Sequence, residues 1–273
     1  MKKTVKISFV QGRLSNQIGS NFQYFPIDNW QNELKDANKI GLSNIEWIVS
    51  DLSNPIFNNE FLKLIILYLK KLKIKISSIS LDFLMTRPFY NLGKKDLDWL
   101  IKKLNLISKR FGKLRINLPI EEESRVFNYQ QLSKLKKNLK YFEKKISKIF
   151  LISIETDISP NNILKLLSKK NFKRIGLNID IGNIEANGYD IESYFSELKD
   201  FIFGIHIKNR NSLFSRSKML TNKKNLNYTI LHLNSLKKLN DITLQTFRDN
   251  KNFKNQLNKN FKFIQSKLVD ERI

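Results

Sequence analysis

The chain has no cysteine and only two histidines, His206 and His232, in 273 residues. The first absence excludes a disulfide scaffold, a thiolate-ligated zinc or iron–sulfur centre and a thiol nucleophile. The second leaves too few imidazoles for a His-rich metal cluster. Glycine is scarce, at 9 residues, and no Gly-x-Gly-x-x-Gly follows the first apolar run, which argues against a dinucleotide-binding fold. Long apolar runs are missing too. The start, Met1-Lys-Lys-Thr-Val-Lys-Ile-Ser-Phe-Val, is interrupted by polar residues from Gln11 onward, too soon for a signal peptide. Phe61 to Leu72 carries Lys63, Lys70 and Lys71, so it does not read as a spanning helix. The expectation is a soluble cytoplasmic protein with no membrane partner.

What the chain has in excess is positive charge: 49 Lys+Arg against 25 Asp+Glu, a net +24. By residue type these are 39 Lys and 10 Arg, accompanied by 32 Asn. A surface shaped for nucleic acid favours Arg forks in clusters, whereas these Lys are spread over nearly every helix-like segment. The pattern reads as compositional drift toward Lys and Asn, and no specific nucleic-acid partner is expected. The hydrophobic content of 41% is enough for a real core.

Periodicity alternates along the whole length. Strand-like runs at Val5–Gln11, Asn44–Ser50, Lys75–Phe83 and Leu114–Ile120 are followed by helix-like segments at Asp28–Ile40, Asn59–Leu72, Lys94–Phe111 and Asn128–Ile149. The second half continues with strands at Phe150–Asp157, Arg174–Ile181, Phe201–Lys208 and Ile242–Phe247. Its helices are expected at Pro160–Lys170, Ile191–Lys199, Tyr228–Leu239 and Asn252–Leu268. Strands such as Ile202-Phe-Gly-Ile-His-Ile are mostly apolar, as in a parallel sheet covered on both faces. Eight such units in one chain, with no linker, predict an α/β fold with residues 1–273 forming a single (β/α)8 TIM barrel domain.

In such a barrel the carboxyl ends of the strands converge on one pocket. The polar residues there are Gln11 and Arg13, Glu46, Asp82, Glu155 and Asp157, Asp180, His206, Lys208 and Arg210, and Gln245. A buried carboxylate costs several kcal/mol unless it is paired, hydrogen-bonded or bound to a cation. Glu155, Asp180, His206 and the amide oxygen of Gln245 would make a donor set for one divalent metal ion, Mn²⁺, Mg²⁺, Co²⁺ or Zn²⁺. The other reading is an ion-pair layer at the barrel mouth, with Lys208 and Arg210 neutralising Glu155, Asp157 and Asp180. His232, in a Lys-rich segment, reads as solvated.

At these residues the chain resembles the xylose isomerase-like TIM barrel superfamily, in particular its sugar phosphate isomerase/epimerase family. The resemblance runs nearly end to end. It rests on Gln11-Gly-Arg-Leu-Ser with Gln23-Tyr-Phe-Pro and Trp30, Gly41-Leu-Ser-Asn-Ile-Glu-Trp, Ile79-Ser-Leu-Asp-Phe-Leu-Met with Arg87-Pro-Phe, and Leu118-Pro. In the second half it rests on Ile154-Glu-Thr-Asp, Gly176-Leu-Asn-Ile-Asp-Ile-Gly-Asn, His206-Ile-Lys-Asn-Arg and Thr243-Leu-Gln-Thr-Phe-Arg.

The resemblance implies a divalent metal held by Glu155, Asp180, His206 and Gln245, and a sugar or sugar phosphate isomerised, or epimerised, by proton transfer through an enediolate. It makes Glu155 the base and places Lys208 and Arg210 where they could steady an oxyanion or hold a hydroxyl or phosphate. Gln11, Glu46, Asp82 and Asn183 are expected to face the substrate, Asn183 standing where relatives often carry a His. The chain departs from the pattern in three places. Gln245 replaces a second Glu and cannot accept a proton, which favours isomerisation over two-base epimerisation. Asn183 cannot relay a proton, and the segment Asn211–Asn227 lacks glycine. The alternative is a catalytically impaired sugar-binding or accessory barrel. A trinuclear zinc nuclease is excluded by the histidine count. The oligomeric state is open, a homodimer included.

Overall fold

The computed structural model describes residues 5–17, 23–168, 171–210, 218–246 and 252–270. Strands β1 (Lys6–Val10), β2 (Asn44–Ile48), β3 (Lys75–Ser80), β4 (Arg115–Ile120), β5 (Leu151–Thr156), β6 (Ile175–Asp180), β7 (Ile202–Ile207) and β8 (Asp241–Leu244) are parallel and close in chain order. β1 bonds to β2 on one side and to β8 on the other, so no edge is left. The expected (β/α)8 barrel is the fold observed.

Around it lie α1 (Trp30–Lys39), α2 (Asn59–Lys71), α3 (Lys94–Phe111), α4 (Tyr129–Lys145), α5 (Pro160–Leu167), α6 (Ile181–Ala186), α7 (Ile191–Leu198), α8 (Lys224–His232) and α9 (Phe253–Asp270). Their starts follow local chemistry. Asn58, Asn128 and Asp190 accept hydrogen bonds from backbone N–H groups of the first turns of α2, α4 and α7. In α3 the buried residues Leu97, Leu100, Ile101, Leu104 and Ile107 recur at helical spacing, so one stripe packs on the sheet. Among the described residues no helix is long and apolar enough to cross a membrane.

Several boundaries differ from expectation. The third strand ends at Ser80, not Phe83, and Asp82 opens a 3₁₀ turn, Asp82–Met85, while the eighth ends at Leu244, before Gln245. α4 stops at Lys145, not Ile149, because Ile146 is extended and the N–H of Ser147 donates to Asn105 Oδ1 at 2.7 Å. α8 spans Lys224–His232, earlier than the expected Tyr228–Leu239, and Leu233–Ser235 tightens into a 3₁₀ turn. The short α6 is new; Asp180 caps it, accepting from the N–H groups of Gly182 at 2.8 Å and Asn183 at 3.0 Å. Residues 169–170 of the expected fifth helix, Phe247 and 211–217 lie outside the described residues.

The strands also divide their faces more sharply than expected. Ile116, Leu118, Ile152, Ile154, Leu177, Ile179, Ile205, Ile207, Ile242 and Leu244 are buried in the hydrophobic core. Alternate positions turn Arg115, Asn117, Ser153, Glu155, Asn178, Asp180, His206, Asp241 and Thr243 inward, all buried. The apolar run seen in sequence therefore belongs to one face, and the lumen is a polar interior. At its base the Arg115 guanidinium crosses from β4 to meet Asp241 of β8 at 3.2 Å, Asn178 of β6 at 3.0 Å, Ser153 of β5 at 3.1 Å and Glu46 of β2 at 3.4 Å.

Room for that guanidinium comes from Gly204 on β7. A Cβ added there would collide with the Arg115 guanidinium and the Asn178 amide. Gly204→Ala is expected to lower unfolding free energy by about 1–3 kcal/mol, the usual range for overpacking a filled interior. Urea denaturation checks this; an unchanged midpoint would show that the guanidinium does not fill the lumen at this layer.

Candidate active site

Three strand ends bring the site together. β5 presents Glu155, β6 ends on Asp180 and β7 presents His206, all buried. One ligand atom from each lies within 4.8 Å of the other two. His206 Nδ1 is 2.9 Å from Glu155 Oε1, and its Nε2 is 2.8 Å from Glu46 Oε1 across the lumen. Glu155 Oε2 accepts from Asn117 at 2.8 Å and Asn178 at 3.2 Å.

These contacts set the protonation states. Burial opposes charge on His206, but Glu155 and Glu46 outweigh it and hold the imidazole well above its usual range. Burial likewise pushes Glu46 up, yet His206 and Arg115 pull it down to about 2. Glu155 is lowered in the same way, against burial, by His206 and Lys208. Glu121, just past β4, goes the opposite way. Burial and then the charge of Glu155 raise it well above the ordinary carboxylate value, and its Oε2 accepts from Asn183 at 2.7 Å. Glu121, Glu155, Asp157, Asp180 and Asn183 line one narrow cleft with Tyr194.

Lys208 stands where its ammonium reaches two of the four residues expected to hold a metal. It meets Asp180 Oδ2 at 2.7 Å as a charge contact and donates to Gln245 Oε1 at 3.2 Å. Gln245 in turn donates to Gln23 at 3.1 Å, and Gln23 donates to Asp82 at 2.6 Å. Arg210 pairs with Glu122 at 3.2 Å and donates to Asn183 Oδ1 at 3.0 Å, while Asp157 is met by Arg125 at 3.2 Å. The ion pairs at the mouth are therefore only partly those expected from the sequence. Of the expected substrate-facing residues, Asn183 lines the cleft, Asp82 and Arg210 lie in the network just described, and Glu46 is buried behind His206. Gln11 is buried and accepts from the N–H of Ile48 at 3.1 Å.

The donor set suits a cation. Metal–ligand bonds of ~2.0–2.2 Å put adjacent ligands about 3 Å apart, the spacing between His206 Nδ1 and Glu155 Oε1. The buried Glu155, Asp180 and His206 triad could bind a metal ion. Sequence reasoning missed Glu121, Arg115 and Asp241. Glu121 opens the acidic run Glu121-Glu122-Glu123, which looks like solvated loop.

Burial pushes Asp82 up to about 6, against hydrogen bonds from Ser80 and Gln23. An unfolded Asp titrates near ~3.9, so the folded chain holds this proton more tightly. The stability this contributes is full below about pH 4 and is lost as pH rises through about 6. Relative to wild type, Asp82→Asn should therefore gain up to about 3 kcal/mol between about pH 4 and pH 7. Urea unfolding across that range checks it, and parallel curves for the two proteins would contradict it.

The sequence matches no protein-family model and no curated protein. The fold matches solved structures along their whole length. A xylose isomerase domain protein from Alicyclobacillus acidocaldarius is 7% identical, with 99% of this chain and 100% of that one covered at a TM-score of 0.74. A xylose isomerase-like TIM barrel protein from Mycobacterium smegmatis, in complex with magnesium, is 16% identical, with 98% of each chain covered at 0.72. D-Psicose 3-epimerase with D-tagatose from Clostridium cellulolyticum H10 is 9% identical, with 96% and 99% covered at 0.72. Identities this low carry the fold alone: the chain shares with these proteins a closed (β/α)8 barrel over nearly its whole length.

Proposed function

We propose that the chain is a metal-dependent isomerase of sugars or sugar phosphates, working in the cytoplasm as one barrel domain. The observation that carries the reading is the convergence of Glu155, Asp180 and His206 ligand atoms within 4.8 Å at the ends of consecutive strands. Fold neighbours that bear the names of a xylose isomerase domain protein and a D-psicose 3-epimerase support the substrate class. Glu155, Asp180 and His206 would hold the ion, with Gln245 as fourth donor. When bound, the ion polarises a carbonyl and makes the neighbouring C–H acidic.

The chain's own groups then divide the proton work. Glu155, kept ionised by its neighbours, takes the proton from carbon and returns it on the same face of an enediolate. Glu121, in the same cleft and shifted the opposite way, holds a proton for a substrate oxygen. Two carboxyl groups whose environments separate their titrations make a natural base and acid. Lys208 and Arg210 orient substrate hydroxyl or phosphate oxygens, as Asn183 does from the cleft wall. With an amide at Gln245, just past the carboxyl end of β8, and Asp241 held by Arg115 at the base of the lumen, that strand offers no second base at the mouth, so isomerisation fits better than epimerisation.

The reading predicts that the purified protein carries a divalent ion and exchanges a carbon-bound proton of a ketose with deuterated solvent. Glu155→Gln should slow that exchange by about 10²–10⁴-fold. Equal exchange in both proteins would remove Glu155 as base. A second reading, a sugar-binding barrel without turnover, is favoured by Lys208, whose ammonium already spans Asp180 and Gln245. Lys208→Met separates the two. Removing one charge contact of a few kcal/mol should tighten Mn²⁺ binding at least about tenfold if ion and ammonium share the place. Sugar binding with no exchange across a ketose panel selects the binder.

A further inference from the structure

Glu46 has no part in the chemistry above, yet it is fully buried and reaches the one imidazole of the site. We infer that Glu46 is the positioning carboxylate of the candidate metal centre: it holds the Nε2 proton of His206 and so leaves Nδ1, the nitrogen facing Glu155, as the ligand atom. The inference rests on the metal reading of the site.

A neutral imidazole that binds a cation has one ring nitrogen with a lone pair and one with a proton, and the partner of the second nitrogen decides which is which. Either nitrogen of His206 could serve, since Glu155 sits 2.9 Å from Nδ1 and Glu46 sits 2.8 Å from Nε2. The surroundings of the two carboxylates break the tie. On the Glu46 side, Oε2 accepts from Ser78 at 2.7 Å and from the Arg115 guanidinium at 3.4 Å. Arg115 is itself anchored by Asp241 at 3.2 Å. A divalent ion at Nε2 would lie beside that fixed guanidinium and be repelled by it. On the Glu155 side the second oxygen is bound by two neutral amides, Asn117 and Asn178, and Asp180 supplies a further carboxylate within reach. The cation on this side, the Lys208 ammonium, pairs with Asp180 from a flexible stem that can swing away, unlike the guanidinium clamped between Asp241 and Glu46. The ion belongs there.

Glu46 is also held against rotation. Both its oxygens are engaged, one by His206 and the other by Ser78 and Arg115. Its aim at Nε2 thus depends on the base of the lumen and not on any substrate. This assigns Glu46 a role behind the imidazole in place of the substrate contact expected from its strand position.

Since His206 and His232 are the only imidazoles, ¹⁵N–¹H correlation of Zn²⁺-loaded wild-type protein reads the arrangement directly. Expected is a His206 ring with a proton on Nε2 and the metal-bound signature on Nδ1; the reverse assignment overturns the inference. Glu46→Gln offers an amide that can donate to Nε2 and favour the wrong tautomer. Mn²⁺ affinity measured by calorimetry should then fall about 10–100-fold, and Glu46→Asp should recover part of the loss. Unchanged affinity in folded Glu46→Gln overturns the inference while leaving the metal reading intact. A wild-type chain that takes up no divalent ion overturns both. If Glu46→Gln does not fold, the spectrum of the loaded wild type decides alone.

Discussion

Charge placed in the lumen of a closed parallel barrel has no water to screen it, so each ionised group there must find its counterion on another strand. Arg115 imposes that condition on everything above it. Its guanidinium enters from β4 and is met by Asp241 and Glu46. Glu46, kept ionised, holds His206, and His206 in turn holds Glu155. The line runs from the base of the barrel to its mouth through side chains of β4, β2, β7 and β5, none adjacent in sequence. Gly204 belongs to it through the space it leaves, and Asn117 and Asn178 through the amides they turn onto Glu155.

One consequence is that two carboxyl groups of a single cleft differ in kind. Glu155 faces an imidazole and two amides and is held below its ordinary range. Glu121 faces an amide of Asn183, and burial beside the charge of Glu155 holds it above. The same physical law, applied to neighbours of opposite sign, moves the titrations of two carboxyl groups of one cleft in opposite directions.

The barrel was legible in the sequence because alternating strand and helix periods survive even a strong drift toward Lys and Asn. Glu155, Asp180 and His206 were legible for a related reason: each interrupts a run of isoleucines near a strand end. What could not be read was pairing. Arg115 looks like a flank of its strand, and its acceptors lie 126 residues away at Asp241 and 69 away at Glu46. Glu121 hides at the head of an acidic triplet whose next member, Glu122, is half exposed on Arg210. The two-residue period was also masked, since inward Ser and Asn positions carry no charge to mark them among their apolar neighbours. Asp180 is a case where one side chain has two duties, capping α6 with one oxygen and meeting Lys208 with the other. Only the first is visible in the local pattern.

On the proposed metal reading, a divalent ion and the Lys208 ammonium would compete for Asp180 and Gln245. The Lys208 ammonium is tethered, so it reaches both at the cost of one side chain's freedom and at a high effective concentration. A free divalent ion gives up more entropy and strips tightly held water. In return it would gain the carboxylate of Glu155, which the ammonium influences only through its field, and the imidazole of His206, and it would bring twice the charge. Tethering favours the lysine when only Asp180 and Gln245 are engaged, whereas the complete set of proposed donors would favour the ion. A ring presenting Nδ1 would complete the proposed set, and a ring turned the other way would leave the ammonium in place.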